Sequence, residues 1–222
     1  QLVYIAMLKA AENLVNAVIA VADPQFKTHS GYAIQGYNDP ELHPTIAQRL
    51  VSNLILYNEP PSTRRAIRER ILAAQITAQF GRTQIIEWYL NSANFGNHAY
   101  GVNAAAQLYF GKPADELTLA ESAILAAVSE TPALNPLDAP QIALQRGREV
   151  LHILNGLGLV SNEATELALA ETPKMESTPL TPPAIAPAFV NLVLAQADSQ
   201  IPRERIERGG MTIITTLDYD LQ

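Results

Sequence analysis

The 222-residue sequence lacks cysteine, is poor in aromatic residues and contains no long hydrophobic run. Without cysteine the chain can form neither a disulfide framework nor a thiolate metal site. Aromatic residues make up 6% of a composition that is 48% hydrophobic, so alanine, leucine and isoleucine must fill the core, which favours helices packed on helices. The longest uncharged stretch, 177–197, is interrupted by prolines and cannot form a continuous membrane-spanning helix.

Positive charge is also scarce, because 22 acidic residues outnumber 15 basic ones and leave a net charge of −7. This balance argues against nucleic acid as a partner. A chain of this length can bury one large domain or two small lobes around a core. Its abrupt start and end lead us to expect a piece of a longer protein.

Helical periodicity alternates with proline- and glycine-rich loops along most of the chain. Ser62 and Ser161 are suitable N-caps, and Thr118 with Glu121 forms a capping box. The predicted helices cover about 8–22, 44–57, 63–80, 82–91, 99–110, 119–128, a segment starting at Asp138 and Pro140 and ending near Gly156, a shorter one after Ser161, and 187–198. Residues 209–218 are instead β-branched and strand-like, and one short strand needs a partner.

The densest group of motifs lies between Tyr89 and Ala126. It reads Tyr-Leu-Asn at 89–91, Phe-Gly at 95–96, Tyr-Gly at 100–101, Ala-Ala at 104–105 and Tyr-Phe-Gly-Lys at 109–112, followed by Glu121. Earlier, residues 22–31 read Ala-Asp-x-x-Phe-x-x-His-x-Gly. Together these motifs resemble the peptidoglycan glycosyltransferases (glycosyltransferase family 51), the glycan-polymerising domains of bifunctional class A penicillin-binding proteins. The resemblance runs from about Ala11 to the C-terminus.

This resemblance implies an all-α, lysozyme-like domain over residues 1–208, with two lobes flanking a groove. Residues 209–222 would then begin a short linker strand toward a downstream transpeptidase-type domain in the same chain. The expected partner is lipid II or a glycan chain. The expected location is the extracytoplasmic face of a bacterial cytoplasmic membrane, with an anchor upstream. The sequence specifies no cofactor, although the family's pyrophosphate chemistry allows a divalent cation, Mg²⁺ or Mn²⁺.

Position 22 is the main departure from the family pattern. The family carries a glutamate there, the base that takes a proton from the acceptor sugar hydroxyl, which then displaces a lipid pyrophosphate with inversion. Ala22 has no proton acceptor, and a general base must reach its hydroxyl directly. Asp23 is adjacent, but one helical step turns its shorter side chain by about 100°, so we do not expect it to substitute.

The second signature of the family, Gly-Gly-Ser-Thr-Ile-x-Gln-Gln-x-x-Lys-Asn, falls on residues 42–53. The lysine, which helps to bind the donor pyrophosphate in the family, is replaced by Ser52, and a hydroxyl cannot supply the lost cation. Other replacements are Pro44 for the serine and Arg49 for the second glutamine. By resemblance, the candidate substrate-binding residues are His29, Thr45, Gln48, Asn53 and Arg65.

Glu69 belongs to the third signature, on the helix predicted at 63–80, and is the candidate catalytic residue that survives. It shares an apolar stripe of the helix with Leu72, Ala73, Ile76 and Phe80. A carboxylate in such surroundings needs a partner or a raised pKa. One interpretation makes it the family's second acidic site residue, near the leaving group. The other, which we favour, is a structural ion pair with Arg65 at i−4. For His29 we likewise favour a packed, hydrogen-bonded role.

The stretch between His29 and Thr45 is only 15 residues long, considerably shorter than the family's mobile jaw. Together with the losses at the signatures, this predicts a retained fold with weakened or lost catalysis, serving as a scaffold or recognition module of a penicillin-binding-like protein. Two alternatives stay open. One is an active lipid II polymerase that uses Glu69 or a loop carboxylate, Asp39 or Glu41. The other is a non-catalytic module that binds lipid pyrophosphate.

Overall fold

The computed structural model describes residues 12–36, 39–175, 193, 195–197 and 201. Within these residues, seven α-helices have defined bounds: α1 Glu12–Ala22, α2 Ile46–Leu54, α3 Thr63–Ser92, α4 Val102–Phe110, α5 Leu119–Glu130, α6 Pro140–Gly156 and α7 Asn162–Ala170. Short 3-10 turns cover Ala114–Glu116 and Pro132–Leu134. An isolated bridge between Asn94 and Tyr100 is the one β pairing in this described part. The predicted all-α class is therefore confirmed.

The chain divides into two compact units, 1–180 and 181–222, and all seven helices belong to the first. In the second unit, residues 193 and 195–197 are helical, within the helix predicted at 187–198. The linker strand predicted at 209–222 lies outside the described residues. The boundary predicted at residue 208 therefore stays a prediction.

Helix α5 forms the centre of the first unit, packed between α1 and α6. Every residue from Ala120 to Ser129 is buried. Small side chains on this helix allow its neighbours to approach closely, because no bulky group separates the backbones. A second packing unit joins α2 to α3.

Two glycines of α6 give a matched test of this close packing. A Cβ at Gly147 would lie 2.5 Å from the Cγ1 atom of Ile124 on α5, whereas a Cβ at Gly156 meets nothing within 4 Å. We expect Gly147→Ala to lower the free energy of unfolding by about 1–3 kcal/mol through overpacking. Gly156→Ala should raise it by about 0.5–1 kcal/mol through helix propensity. Urea unfolding of both variants measures the difference, and two changes of the same sign would contradict this account of the interface.

Helix α3 contains a break that the sequence predicts. Gly81 has a φ of +76°, a left-handed conformation that glycine adopts at little cost, so two helices meet there. The predicted helices at 63–80 and 82–91 correspond to these two parts. Ser62 caps the first of them by accepting a hydrogen bond from the Arg65 amide, as expected. By contrast, the helix predicted at 99–110 starts only at Val102, because Gly101 has a φ of +87°.

Tyr109 is fully buried on α4 and donates a 2.7 Å hydrogen bond to the Phe95 carbonyl. Burial raises the pKa of Tyr109 to about 12. An unfolded tyrosine ionises near pH 10, so between about pH 10 and 12 the unfolded state loses a proton that the folded state keeps. The contribution of Tyr109 to the free energy of unfolding is therefore fully present below about pH 10. Above that pH the free energy of unfolding decreases, by about 2–3 kcal/mol in total.

The variant Tyr109→Phe isolates this contribution. We expect its free energy of unfolding to decline less between about pH 9 and about pH 12 than that of the unmodified protein. Denaturant unfolding at the two pH values measures both declines. Equal declines would mean that Tyr109 ionises normally in the folded protein.

Candidate functional site

Position 22 lies at the C-terminal end of α1, and Ala22 is only 4% exposed. The next residue, Asp23, is 3% exposed and holds two neighbouring segments together. Its two carboxylate oxygens each lie 2.9 Å from Nε2 of His29, and one of them accepts a 3.0 Å hydrogen bond from the amide of Ile46. The Ile46 amide lies in the first turn of α2 and therefore has no acceptor within the helix. A negative charge is also favourable at this end of a helix.

His29 is fixed in one tautomer by these contacts. The Gly31 amide donates a 2.9 Å hydrogen bond to Nδ1 of His29, so Nδ1 carries no proton and Nε2 donates to Asp23. The side chain of His29 is 15% exposed. The structure therefore places His29 in a packed, hydrogen-bonded position that joins α1 to the loop after it, and Asp23 is committed to the same contacts.

Thr45 and Gln48 hold the start of α2 against that loop. Thr45 caps α2 by accepting from the Gln48 amide, and its hydroxyl donates a 2.8 Å hydrogen bond to the Gly31 carbonyl. Gln48 is fully buried; its Oε1 accepts from the Ala33 amide at 2.9 Å. Its Nε2 donates a 2.9 Å hydrogen bond to Oε1 of Glu69, which connects α2 to α3.

Glu69 is 1% exposed, and both of its oxygens lie close to polar side chains. While Oε1 accepts from Gln48, Oε2 lies 2.7 Å from Nδ1 of His43 and 3.6 Å from Nη1 of Arg65. Neither Oε2 of Glu69 nor Nδ1 of His43 has a hydrogen-bond partner, so their contact is an electrostatic one. The predicted i,i+4 pairing of Arg65 with Glu69 is present, within a larger group of side chains.

Ser52 completes this group, which we call the Glu69 cluster: His43, Gln48, Ser52, Arg65 and Glu69. Nη2 of Arg65 donates a 2.8 Å hydrogen bond to Oγ of Ser52, and that oxygen lies 3.2 Å from Nε2 of His43. Arg65 also donates to the Leu56 carbonyl. The cluster therefore joins α2, α3 and the loop before α2 through side chains that are mostly buried.

Of the residues predicted for substrate binding, Thr45, Gln48 and Arg65 are brought into contact with Glu69 or its partners, and His29 is linked to them through Gly31. Asn53 is exposed on α2. The motif comparison missed His43 and Ser52 as partners of Glu69. His43 stands at a glycine position of the family pattern and Ser52 at a lysine position, so the sequence shows that each residue departs from the pattern. Their contact with each other arises only when the loop folds onto α2.

Arg49, which replaces the family's second glutamine, forms a bidentate ion pair with Glu130 at the end of α5. Burial lowers the pKa of Arg49, but the hydrogen bond and charge of Glu130 outweigh this, and the pKa is raised overall. Nearby, burial raises the pKa of Tyr89, while the charge of Arg49 opposes that rise. This replacement therefore also contributes to internal structure.

Two other arginines of α3, Arg68 and Arg70, are also bonded to groups within the protein. Arg70 is 8% exposed and donates to the carbonyls of Ala33, Gln35 and Ala66. Arg68 pairs with Glu59 on the surface. The guanidinium groups of Arg65 and Arg70 thus hold loops in place by hydrogen bonds to backbone carbonyls.

A divalent cation finds no suitable ligands in the described parts of the chain. Among residues 12–36 and 39–175, no group of three or more histidine, aspartate or glutamate side chains is arranged to hold a metal ion. Glu69, the carboxylate of the candidate site, faces Gln48, His43 and Arg65. These residues do not fit the cation that the resemblance allows. A cavity of about 460 Å³ is separate from the Glu69 cluster, and Asn13, Leu119 and Leu167 contribute to its lining.

Comparison with known proteins agrees with this architecture. The transglycosylase family model matches residues 44–155, half of the chain. The chain therefore belongs to the transglycosylase family. Together with the all-helical architecture, this membership agrees with the lysozyme-like fold class expected from the sequence.

Curated relatives include penicillin-binding protein 1A of Aquifex aeolicus, 35% identical over 99% of this chain and 31% of the relative. Penicillin-binding protein 1A of Pseudomonas aeruginosa is 30% identical over 95% of this chain and 27% of the relative. The chain thus spans about a third of the length of these relatives. A crystal structure of penicillin-binding protein 1A from Haemophilus influenzae aligns with 73% of this chain and 21% of its own, at 25% identity and a TM-score of 0.44. None of the helices in the described segments is long and apolar enough to cross a bilayer.

Proposed function

We propose that this domain keeps the transglycosylase fold but has weakened or lost glycan polymerisation, and that it serves as a scaffold or recognition module of a penicillin-binding-like protein. One observation carries the proposal. Where the family's base would stand, Ala22 offers no proton acceptor, and the neighbouring Asp23 is engaged by His29 and the amide of Ile46. Loss of a general base costs about 10²–10⁴-fold in rate.

The buried side chains support the same proposal. Glu69 is 1% exposed and has contacts on both oxygens, so a substrate hydroxyl or a leaving group has no access to it in this arrangement. A carboxylate that is already paired inside the protein would have to break those contacts before it could accept a proton. Glu69 is therefore proposed as a structural residue, in line with the ion-pair interpretation of the sequence.

An enzymatic alternative remains through the loop carboxylates. Asp39 and Glu41 are both exposed, and Asp39 accepts a hydrogen bond from the Glu41 amide. Their exposure makes them the carboxylates that a substrate reaches most easily in this segment. A polymerase that used them would depend on both side chains but not on Glu69.

The test is polymerisation of labelled lipid II by the full-length protein in detergent, with an active family member as positive control. We expect product at least about 100-fold below that control. The double variant Asp39→Asn with Glu41→Gln should leave this background unchanged. Robust glycan chains from the unmodified protein, abolished in the double variant, would establish the loop-carboxylate enzyme and exclude the scaffold role.

Lipid-pyrophosphate binding without turnover is the second alternative. A pyrophosphate needs several donors and positive charge, yet Arg65 and Arg70 donate to internal acceptors and Ser52 replaces the family's lysine. We therefore expect no saturable binding of lipid II to the full-length protein. Titration followed by tryptophan fluorescence or calorimetry tests this expectation, and saturable binding would favour the binding module over the scaffold.

Two further features are part of the proposal, by analogy with the longer relatives. The domain would lie on the extracytoplasmic face of a bacterial membrane, and a transpeptidase-type domain would follow it in the same chain. Protease protection of the full-length protein in spheroplasts tests the first point, and covalent labelling by a penicillin tests the second. Protection from external protease would contradict the proposed location.

A further inference from the structure

Two of the side chains that depart from the family pattern contact each other inside the Glu69 cluster. His43 stands at a glycine position of the second signature and Ser52 at its lysine position. Their side chains meet at 3.2 Å, and each also contacts one member of the Arg65–Glu69 pair. His43 and Ser52 thus connect Arg65 to Glu69 by a second route, beside the direct contact of the pair.

The donor and acceptor chemistry permits one arrangement with a neutral imidazole in which the hydroxyl proton of Ser52 and the ring proton of His43 both point toward an acceptor. A guanidinium only donates, so Nη2 of Arg65 donates to Oγ of Ser52. The hydroxyl proton of Ser52 is then free to point at Nε2 of His43. A lone pair on Nδ1 of His43 would face the ionised carboxylate of Glu69 at 2.7 Å and be repelled by it, so the ring proton is placed on Nδ1, in an electrostatic contact that is not a hydrogen bond. The contacts thus run in one direction, from Arg65 through Ser52 and His43 to Glu69.

The net charge of this arrangement differs from that of the family pattern. With a neutral imidazole, the charges of Arg65 and Glu69 cancel. A lysine at position 52 would add one positive charge to the same pair, which is the kind of charge a pyrophosphate requires. In this chain Arg65 donates to Ser52 and to the Leu56 carbonyl, and Glu69 is 1% exposed, so neither side chain is open to a ligand.

We infer that His43 and Ser52 act as one unit, a neutral relay that replaces a substrate-binding cation and binds Arg65 and Glu69 to each other, so that the site is closed to the pyrophosphate of a lipid donor. The inference rests on the proposed function, because it explains why the family's donor site would be empty of substrate. It predicts that the two replacements are coupled energetically and that reversing both reopens the site to pyrophosphate.

The tautomer of His43 is the direct readout on the unmodified protein. Long-range ¹⁵N–¹H correlation spectra of the full chain distinguish Nδ1–H from Nε2–H rings, and the chain has four histidines. We expect His43 to be protonated on Nδ1 and His29 on Nε2, which makes His29 an internal control. A His43 ring protonated on Nε2 alone would overturn the relay, whether or not the protein polymerises lipid II.

A double-mutant cycle tests the coupling. Ser52→Ala and His43→Ala should each reduce the equilibrium constant for folding. The reduction in the double variant should be smaller, by at least about fivefold, than the product of the two single reductions. His43→Asn can place a donor near the position of Nδ1, so we expect it to recover part of the loss. Multiplicative effects of the two single changes, with no recovery by asparagine, would contradict the relay.

Reversal of both replacements tests the closure. We expect His43→Gly combined with Ser52→Lys to bind inorganic pyrophosphate at least about tenfold more tightly than the unmodified protein. The matched control is His43→Gly combined with Leu54→Lys, which adds the same charge at a half-exposed position two residues further along α2. Equal binding by the two folded variants would show that charge alone matters and would overturn the closure. This outcome differs from a failure of the proposed function, which would appear as polymerisation by the unmodified protein.

Discussion

Replacement of Glu69 by leucine is expected to lower the free energy of unfolding by about 3–5 kcal/mol, because removal of one member of a buried charged pair leaves the other charge uncompensated. The guanidinium of Arg65 would remain 8% exposed without its carboxylate, and Gln48 would lose the acceptor of its Nε2 group. Urea unfolding of the variant at neutral pH gives the change directly. An effect of this size corresponds to roughly 10²–10⁴ in the folding equilibrium.

Two variants control this prediction. Glu69→Gln keeps the shape and one acceptor, so we expect a smaller loss than for leucine. Glu59→Gln removes the carboxylate of the pair with Arg68, whose side chains are 38% and 48% exposed, and should cost less than about 1 kcal/mol. A Glu69→Leu protein as stable as the Glu59→Gln protein would show that the Glu69 cluster contributes little, and the interpretation of Glu69 as a structural residue would be wrong.

Gly31→Ala is expected to have the other large effect, about 2–6 kcal/mol of destabilisation. Gly31 has a φ of +92°, a conformation that costs a residue with a side chain about 1–3 kcal/mol. An added Cβ would also lie 2.2 Å from Oγ1 of Thr77 and 2.7 Å from the Ala73 carbonyl, and overpacking of this kind costs about 1–3 kcal/mol more. Thermal or urea unfolding of the variant measures the sum.

The controls separate the two causes. Gly158 has a φ of +68° and open space around it, so Gly158→Ala should show the backbone cost alone, about 1–2 kcal/mol. Thr77→Ala in the Gly31→Ala background should recover part of the loss, because it removes the nearest of the three close contacts while Cβ of residue 77 and the Ala73 carbonyl remain at 2.7 Å. No recovery, together with equal costs at Gly31 and Gly158, would mean that the loop does not pack on α3 as described.

Both positions bear on the proposed function, because Gly31 lies in the loop from His29 to Thr45 and Glu69, on α3, contacts His43 of that loop. The loop from His29 to Thr45 is short, and Gly31 lets it turn sharply against α3. Its next residues are held by Gln48 and Arg70 through backbone groups of Ala33 and Gln35. The signature residues that would contact a substrate are therefore engaged in holding this loop, which agrees with the proposed scaffold role.

Local signals in the sequence predicted much of the fold. The capping box of Thr118 and Glu121 is present with both of its hydrogen bonds, and Ser62 and Ser161 cap their helices. These features depend on residues three or four positions apart, so neighbouring sequence is sufficient to predict them. The helix predicted to start at Asp138 and Pro140 begins at Pro140, and Asp138 lies just before it and accepts a hydrogen bond from Asn135.

The candidate site was predicted less completely. The i,i+4 pair of Arg65 and Glu69 could be read from one helix, since both residues lie on the same side of it. The contacts of Glu69 with His43 and Gln48 span two other segments, and no spacing in the sequence specifies them. A motif comparison shows that residues 43 and 52 depart from the pattern, but it cannot show that they meet.

The sequence by itself determined the family, the helical class and the absence of a base at position 22, because side-chain identity and local spacing are sufficient for these. Only the tertiary structure decided how the remaining acidic residues of the signatures are used. Asp23 is committed to His29 and the start of α2, and Glu69 to a buried cluster, since folding brings distant polar groups together and burial requires each of them to find a partner. Which partner each group finds depends on the packing of loop against helix, and that is a property of the folded chain.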